Sequence, residues 1–474
     1  MRQNIVRMTG VTIKNFKNVK YGQLFFENKR KPYRTSVLGL YGQNGSGKTA
    51  LIDAMELLKY VLQGQPLPEK FAKYINVEAD KAELRYEFSI SDDNEKYLVS
   101  YQFELQEEKK EDETNLVLND NSKIGYKAVI KNEILSYSYE NKNGKIKKTH
   151  LIDTDTSKLF VPDTKYECLL GKDKEVKMDL LVAKKIALSM SRSFIFSREL
   201  LSAIEKNKPT RDDQEYHRHK RLLDSLVRYG NFELFVINTT NSGIISMDVL
   251  PLSFKYDQGA NKAVGSILVP LEKPIAIPNE SVKVVEHVVE NMNVVLTEIV
   301  PGLTIRVERL GDIVLKNGEV GTRIQLLSLK NEKAIPLQYE SEGIKKIISI
   351  LQLLIVVFNR SSITVAIDEL DAGIFEYLLG ELLRIISEKG KGQLLFTSHN
   401  LRPLETLDRG FIAFTTTNPE NRYIRMSNVK NNNNLRSLYF RDILLNEQCE
   451  EVYRLTNNAE IAFAFHKAGV CCES

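Results

Sequence analysis

The strongest chemical signal in the chain is a short glycine-rich segment followed by a lysine and a threonine. Residues 42–49 read Gly-Gln-Asn-Gly-Ser-Gly-Lys-Thr, which matches the phosphate-loop pattern G-x-x-x-x-G-K-[S/T]. The glycines would let backbone N–H groups turn inward and surround phosphate oxygens. Lys48 would reach the β- and γ-phosphates of ATP, and the Thr49 hydroxyl would bind Mg²⁺. The predicted nucleotide-binding residues of this segment are Gly42, Asn44, Gly45, Gly47, Lys48 and Thr49.

A pair of carboxylates at the end of an apolar run gives the second signal. Residues 363–369 read Ile-Thr-Val-Ala-Ile-Asp-Glu, about 320 residues after Lys48. Asp368 is expected to hold Mg²⁺, directly or through water, and Glu369 to polarise the attacking water as a catalytic residue. An ordinary turn at a strand end is the alternative. The pairing with the phosphate loop favours a site that hydrolyses ATP.

Two further segments contain groups that could contact phosphate. Residues 397–399, Thr-Ser-His, follow the next apolar run, and His399 there could orient the γ-phosphate, although a lone histidine is commonly structural. Residues 340–346, Glu-Ser-Glu-Gly-Ile-Lys-Lys, precede a long apolar segment. Ser341 and the Gly343 N–H would form an anion site at a helix start, or Ser341 would be a plain N-cap.

The hydrophobic pattern indicates the elements that must position these groups. A strand at residues 36–41, the glycine turn and a helix at 49–62 form the opening unit of an α/β fold. Alternating patterns predict strands at 84–90, 97–105 and 135–139, a solvated loop at 106–114 and a hairpin turn at 141–144. Residues 175–300 are expected to be mostly helical, with 205–221 an exposed connection and a helix over 281–300. Strands are expected at 303–310 and 323–329, buried strands at 363–367 and 393–397, and helices at 343–359 and 373–388.

Composition narrows the class of protein. The chain has 474 residues, 42% hydrophobic and 27% charged, and a net charge of +4, so it is neither disordered nor a small disulfide scaffold. The longest apolar stretch, 347–358, is too short for a bilayer, and the N-terminus shows no signal peptide. The four cysteines show no CxxC spacing, which argues against zinc and fits a reducing cytoplasm. The charge neither requires nor excludes nucleic acid.

Taken in order, these motifs resemble the ATP-binding head of ABC-type ATPases. The nearest branch is similar to the structural-maintenance-of-chromosomes and overcoming-lysogenization-defect class, found in bacterial phage-defence and abortive-infection systems. Residues 11–18, Val-Thr-Ile-Lys-Asn-Phe-Lys-Asn, resemble the N-terminal strand and turn of that class. Residues 340–346 resemble its degenerate signature motif, residues 368–371 its Walker B motif and D-loop, and His399 its switch histidine. The resemblance covers about residues 1–160 and 300–420.

The resemblance implies an architecture and a mechanism. The fold would be a P-loop ABC-type ATPase head, a mixed sheet with flanking helices. Its parts would be an N-terminal lobe (1–160), a mainly helical insertion (161–300), a C-terminal lobe (301–430) and a tail (431–474). Two heads would sandwich two ATP molecules, each held by Lys48 and Thr49 of one copy and capped by Ser341 and Gly343 of the other. Asp371 would pass between the copies. A dimer is then the minimal homo-oligomer, and related phage-defence ATPases form larger rings.

The sequence also departs from this class. The signature is not the LSGGQ form, since Glu340 and Glu342 stand in place of Leu and Gly. The residues 175–300 carry no sustained heptad repeat, so no long coiled-coil arm is expected. Four glutamines, Gln63, Gln65, Gln102 and Gln106, are candidates for the residue that would link ATP to the insertion, and the pattern does not distinguish between them.

The favoured function is a cytoplasmic ATPase that acts as a switch or sensor in anti-phage defence and controls a separately encoded effector protein. A DNA-binding repair or recombination ATPase is the main alternative, and nucleic-acid binding is left open. An ATPase-coupled nuclease is less favoured, because about 75 residues follow His399 and His217-Arg218-His219 is better interpreted as a solvated basic face. A membrane transporter head is the least favoured, and no membrane partner is expected.

Overall fold

The computed structural model describes residues 4–26, 36–91, 95–109, 125–141, 144–156, 158–207, 213–238, 249–258, 261–316, 318–330, 333–426, 434–445 and 448–470. The strands are β1 (Ile5–Phe16), β2 (Val19–Phe25), β3 (Ser36–Tyr41), β4 (Lys81–Ser91), β5 (Lys96–Lys109), β6 (Tyr126–Asn141), β7 (Gly144–Asp153), β8 (Leu234–Ile237), β9 (Val249–Gln258), β10 (Asn261–Pro270), β11 (Ile275–Pro278), β12 (Leu303–Val314), β13 (Val320–Lys330), β14 (Lys333–Pro336), β15 (Thr364–Ile367), β16 (Gln393–Thr397), β17 (Ile412–Thr415) and β18 (Tyr423–Ile424).

The α-helices are α1 (Lys48–Leu62), α2 (Asp163–Leu170), α3 (Lys174–Ser189), α4 (Arg198–Lys206), α5 (Gln214–Phe232), α6 (Asn279–Ile299), α7 (Glu342–Asn359), α8 (Glu376–Lys389), α9 (Pro403–Thr406), α10 (Leu435–Leu445) and α11 (Asn458–Val470). None of the helices within the described ranges combines the length and the hydropathy that a membrane crossing needs.

A mainly parallel sheet positions the predicted site. Its strand order is β18-β17-β3-β16-β15-β8, and only the β17–β18 pair is antiparallel. Every residue of β3, β15 and β16 is buried, as expected for strands covered on both faces. The expected buried strands at 36–41, 363–367 and 393–397 are therefore confirmed. Because these strands run in parallel, the segments that follow them meet at one edge of the sheet.

An antiparallel sheet forms the second layer, with strand order β2-β1-β4-β5-β6-β7. Burial alternates residue by residue from Lys81 to Phe88 in β4, because one face of this sheet packs into a core shared with α1 and α5. The strands expected at 84–90, 97–105 and 135–139 are confirmed. The expected loop at 106–114 is wrong for 106–109, which extend β5, and its remainder lies outside the described residues. Asn141 pairs with Gly144, and the turn between them lies outside the described residues.

A smaller antiparallel sheet, β11-β13-β12 with β14 on β13, packs with α6 and α7 in a second core. The expected strands at 303–310 and 323–329 and the expected helices at 281–300, 343–359 and 373–388 are confirmed within a few residues. These segments were predictable because their apolar residues recur with a clear helix or strand period, which is the main sequence signal of secondary structure.

The insertion at 161–300 is less helical than expected. It contains α2 to α6, but also the β9–β10 hairpin, β11 and β8, and β8 is an edge strand of the parallel sheet. The four residues of β8 are apolar and directly follow a helix, so their pattern could not separate a buried strand from a helix end. Helix α5 begins at Gln214, where the Asp213 carboxylate accepts a hydrogen bond from the Tyr216 N–H, so the expected exposed connection is wrong from 214 onward. The domain boundaries stay a prediction.

Candidate nucleotide-binding site

The phosphate loop connects β3 to α1 in a conformation that requires glycine. Gly42, Gly45 and Gly47 have φ values of 152°, 76° and 95°. A Cβ on Gly42 would lie 1.8 Å from the Thr415 Oγ1, whereas a Cβ on Gly45 would meet nothing within 4 Å. Gly47 is the N-cap of α1 and brings no side chain to the first N–H groups of the helix. Those donors and the helix dipole are suited to an anion.

Residues distant in sequence hold this loop in place. The Tyr423 hydroxyl donates to the Gly47 carbonyl at 2.9 Å, and the Asn18 amide donates to the Gly45 carbonyl. The Arg454 N–H donates to the Gln43 Oε1 at 3.1 Å. Sequence reasoning missed these three supports, because no local pattern links Asn18, Tyr423 or Arg454 to loop residues that lie 27, 376 and 411 positions away.

Lys48 is buried and faces both the loop and the predicted carboxylates. Its Nζ donates to the carbonyls of Gly42 and Gln43 at 2.7 and 3.0 Å. Burial lowers the pKa of Lys48, and the negative charges of Asp368, Glu369 and Asp371 oppose that shift. The structure therefore brings the predicted phosphate-loop lysine within electrostatic reach of the predicted carboxylates.

The two carboxylates that follow β15 have different environments. Asp368 is only 1% exposed, and the Thr397 hydroxyl donates to its Oδ1 at 2.5 Å. The same hydroxyl oxygen accepts the Glu369 N–H at 2.8 Å. Glu369 is exposed and has a φ of 49°, which is uncommon for a residue with a side chain. Thr397 thus fixes one carboxylate in the interior while the backbone turns the next outward.

Asp371 and His399 are adjacent at the same edge of the sheet. The Asp371 Oδ2 accepts the backbone N–H groups of His399 and Asn400 at 3.2 and 3.0 Å. His399 is exposed and lines a cavity of about 340 Å³ beside the phosphate loop. The cavity is lined by Tyr41, Gly42, Gln43, Asn44, Ser398, His399, Leu401, Tyr439, Ile443 and Tyr453. The last three belong to the tail, which the sequence did not connect with the site.

Ser341 and Gly343 lie at the start of α7, beside the turn that contains Asp371. The Ser341 Oγ accepts the Ile344 N–H at 3.4 Å, so Ser341 is an N-cap within its own chain. A Cβ on Gly343 would lie 2.6 Å from the Gly373 carbonyl oxygen, so these two backbones are in close contact. Neither Ser341 nor Gly343 lines the cavity at the phosphate loop. Their predicted role in capping the nucleotide of another copy stays a prediction.

Lys346 is a site residue that sequence reasoning did not single out. It is 1% exposed on α7, and burial lowers its pKa while Asp371, Glu369 and Asp368 oppose the shift. Its neighbour Lys345 instead pairs with Glu272 and Glu342, both at 2.6 Å. A charged residue on the buried stripe of an otherwise apolar helix is the signal that could have identified Lys346.

The four candidate glutamines lie away from the cavity. Gln63 follows α1 and its Nε2 donates to the Gly230 carbonyl at 3.2 Å. Gln65 lies just after the turn at residues 63–64, and Gln102 and Gln106 are in β5. The residue that follows β8 at the carboxyl edge of the parallel sheet is Asn238. It is buried, and its amide donates to the Asp53 carboxylate on α1.

The histidines of the charged insertion segment have different environments. His217 is exposed, but His219 is fully buried, with its Nε2 2.9 Å from the Tyr137 hydroxyl. Burial lowers the pKa of His219 to about 4. The interpretation of this segment as a solvated basic face is therefore wrong for His219, because α5 turns that side chain toward β6. Within the described ranges, no group of three or more His, Cys, Asp or Glu side chains could hold a metal ion.

Comparisons with known proteins give a family. A search of curated proteins finds no relative of this chain. Among solved structures, the chain is similar to an SMC head bound to the C-winged helix domain of ScpA, at 12% identity and a TM-score of 0.41 over 89% of this chain and 98% of that chain. It is also similar to the SMC head domain from Thermotoga maritima, at 12% identity and a TM-score of 0.33 over 89% and 99% of the two chains. A third likeness is to the recombination mediator protein RecF-ATPrS in the RecFOR pathway, at 14% identity and a TM-score of 0.34 over 84% and 94%.

Because these TM-scores are low, the similarity to these structures supports no conclusion about the function of this chain. A family model, by contrast, spans the phosphate loop, the carboxylates and His399. The model of the AAA ATPase domain matches residues 7–402, and the chain therefore belongs to the AAA ATPase domain family.

Proposed function

We propose that this chain binds and hydrolyses ATP and that ATP joins two copies of it into a switchable dimer. The observation that carries the proposal is the convergence of Lys48, Asp368, Glu369 and Asp371 at one edge of the parallel sheet. A glycine loop at a helix N-terminus, a buried ammonium and a carboxylate pair are the parts that phosphoryl transfer to water requires. Membership of the AAA ATPase domain family supports the same reaction.

Each residue has a physical role in this scheme. The phosphate loop would hold the phosphates through its N–H groups, and Lys48 would leave the carbonyls of Gly42 and Gln43 to neutralise phosphate charge. Glu369, exposed at the same edge, would polarise the attacking water. His399, on the cavity wall, would orient the γ-phosphate.

The donor set also fits Mg²⁺. Mg²⁺ is commonly held by one or two carboxylates together with the phosphates of its substrate, and it neutralises their charge. The Thr49 hydroxyl and the Asp368 carboxylate would hold it here. Asp368 is already fixed by the Thr397 hydroxyl at 2.5 Å, so its oxygen atoms have a defined position before any ligand binds.

The surface around Ser341 and Gly343 is suited to a second copy. Tyr339 and Phe375 are 71% and 72% exposed, and in the sequence they lie four residues before Gly343 and two residues after Gly373, whose backbones are in contact. Large aromatic side chains are enriched in protein interfaces. This arrangement supports the proposal that Ser341 and Gly343 cap a nucleotide bound to another copy.

In this proposal, the ATPase acts as a switch that controls a separately encoded effector in anti-phage defence. The support for this role is the motif resemblance in the sequence, above all residues 340–346. A repair or recombination ATPase that binds DNA is the alternative. Purification of the chain together with the products of adjacent genes, with and without ATP, separates the two: a nuclease or toxin that leaves on hydrolysis supports the switch, and repair proteins support the alternative.

The test of the ATP-joined dimer uses Glu369→Gln. This variant keeps the shape of the side chain but cannot accept a proton, so it should bind ATP, hydrolyse it at least about tenfold more slowly and accumulate as a dimer. Light scattering with and without ATP measures the dimer, and phosphate release measures turnover. Lys48→Ala is the control: it should not bind nucleotide, and ATP should not change its association. A Glu369→Gln chain whose association does not increase in saturating ATP would contradict the ATP-joined dimer.

A further inference from the structure

The last helix that the structure describes, α11, presents exposed side chains to solvent. Every residue from 455 to 468 is exposed. The segment before it is anchored to the site, because Val452 is 1% exposed and the Arg454 N–H binds Gln43 of the phosphate loop. Helix α11 therefore starts four residues beyond a direct contact with the phosphate loop.

Helix α11 is rich in exposed apolar residues, as is typical of a helix that packs against another surface. It exposes Ile461, Phe463 and Phe465 at 42%, 68% and 76%, together with four alanines. A polar surface helix of 13 residues is marginal in water without tertiary contacts, and an apolar one carries an additional cost of exposed surface. A partner surface that covers these apolar side chains would stabilise the helix.

The spacing of α11 identifies the partner. Ile461, Ala464 and Ala468 follow one another at the three- and four-residue spacing of a helix–helix seam, with Glu460 and Lys467 seven residues apart on one flank. If two such helices lie antiparallel with Ile461 against Ala464 of the other copy, Glu460 of each copy faces Lys467 of the other. On the second flank, the two Phe465 side chains meet. In a parallel pair, the charged flank of each copy would instead face the Phe465 flank of the other, and no Glu460–Lys467 pair would form.

We infer that α11 is a dimerisation helix that pairs antiparallel with α11 of a second copy of this chain. The small Ala464 and Ala468 allow close approach, Ile461 fills the seam, and two symmetric Glu460–Lys467 pairs fix the direction and the register. This contact is separate from the proposed ATP-joined dimer. It lies beside the phosphate loop, so each contact raises the effective concentration of the other.

The test measures self-association without nucleotide, so that its outcome does not depend on the ATP-joined dimer. Sedimentation velocity of the nucleotide-free full chain should show a reversible dimer, and a chain that ends at residue 457 should be monomeric. Glu460→Lys should weaken the dimer about tenfold, since attraction becomes repulsion at two symmetric pairs. The double variant Glu460→Lys with Lys467→Glu should recover the affinity to within about twofold.

Two phenylalanines provide a matched control on the same helix. Phe465→Ser should weaken the dimer, whereas Phe463→Ser, on the opposite side of α11, should not. At protein concentrations well below the dimer dissociation constant, the melting temperature should be the same for all variants, because the substituted side chains of α11 are exposed within one copy. Equal association by the full chain and the chain ending at residue 457, a monomeric full chain, or no recovery in the double variant would each overturn the inference.

Discussion

Two buried lysines face the same three carboxylates in this molecule. Lys48 comes from the phosphate loop and Lys346 from α7, and the charges of Asp368, Glu369 and Asp371 act on both. A buried ammonium without a counter-charge would lose its proton or destabilise the fold. The charges of the three carboxylates therefore help both buried lysines to stay protonated.

Lys346→Met should reduce hydrolysis more than it reduces ATP binding. Removal of this charge leaves the carboxylates less neutralised beside a triphosphate, so we expect kcat to fall about tenfold or more. Lys345→Met is the matched control, since it removes the same charge from the same helix but from a pair with Glu272 and Glu342. Turnover and nucleotide affinity, measured on both variants, check the prediction. Equal losses of kcat in the two would contradict it.

At the scale of elements, helix α1 carries the phosphate loop and is held between the two sheets by α5. The two helices approach closely at Gly230, where a Cβ would lie 2.4 Å from the Leu62 Cβ. Leu62 is fully buried, so it has little room to move aside. A position that allows only glycine thus sets the distance between the helix of the site and the helix of the insertion.

Gly230→Ala should destabilise the fold by about 2 kcal/mol through overpacking, even though alanine favours helices. The free energy of unfolding in urea measures the effect. Asn231→Ala, the next residue on α5, loses one hydrogen bond to the Val227 carbonyl at 2.8 Å and should cost less. A Gly230→Ala chain as stable as the parent would show that α1 and α5 can separate without cost.

The contact of α5 with β6 should make the stability depend on pH. Burial lowers the pKa of His219 to about 4, below its ordinary value of 6.5, so the unfolded chain takes up the proton first as pH falls. Stability present above pH 6.5 is therefore lost between about pH 6.5 and 4, by up to about 3 kcal/mol. Chemical unfolding at several pH values measures this slope. His219→Gln should flatten it, and His217→Gln, at an exposed position, should not.

At the scale of the whole molecule, one face combines the start of α7, the Asp371 turn and exposed aromatic side chains. Phe375 and Tyr377 are 72% and 56% exposed, and Tyr377 lies 5.5 Å from the guanidinium of Arg402. Exposure of large aromatic side chains to water is unfavourable, and a second copy that covered this face would remove them from water. The proposed ATP-joined dimer and the α11 pair would then form two parts of one assembly.

Phe375→Ser should weaken the ATP-dependent dimer without changing nucleotide binding by the monomer. The loss of a large exposed aromatic from an interface is expected to raise the dimer dissociation constant about tenfold. Leu98→Ser on β5, where Leu98 is 52% exposed, is the control for the loss of a surface apolar side chain. Light scattering of both variants in ATP checks the prediction. An unchanged dimer in Phe375→Ser would place the interface elsewhere.

The parts of this protein that its sequence alone determined are local in the chain. The phosphate loop, the buried strands and the long amphipathic helices each follow from residues within one short window, because glycine conformation and side-chain periodicity are set by neighbouring residues. For the same reason the sequence indicated the carboxylates at 368 and 369 and their order after an apolar strand.

Only the tertiary structure decided which distant groups meet. Lys346 joins the carboxylates, β8 joins the parallel sheet, Tyr423 and Asn18 brace the loop, and His219 is buried against Tyr137. Such contacts depend on how layers pack, and packing is a property of the whole chain that no periodic pattern encodes. A single charged residue or a short apolar run has the same local sequence pattern whether it lies on the surface or in the core. Its role therefore depends on the residues that the fold brings against it.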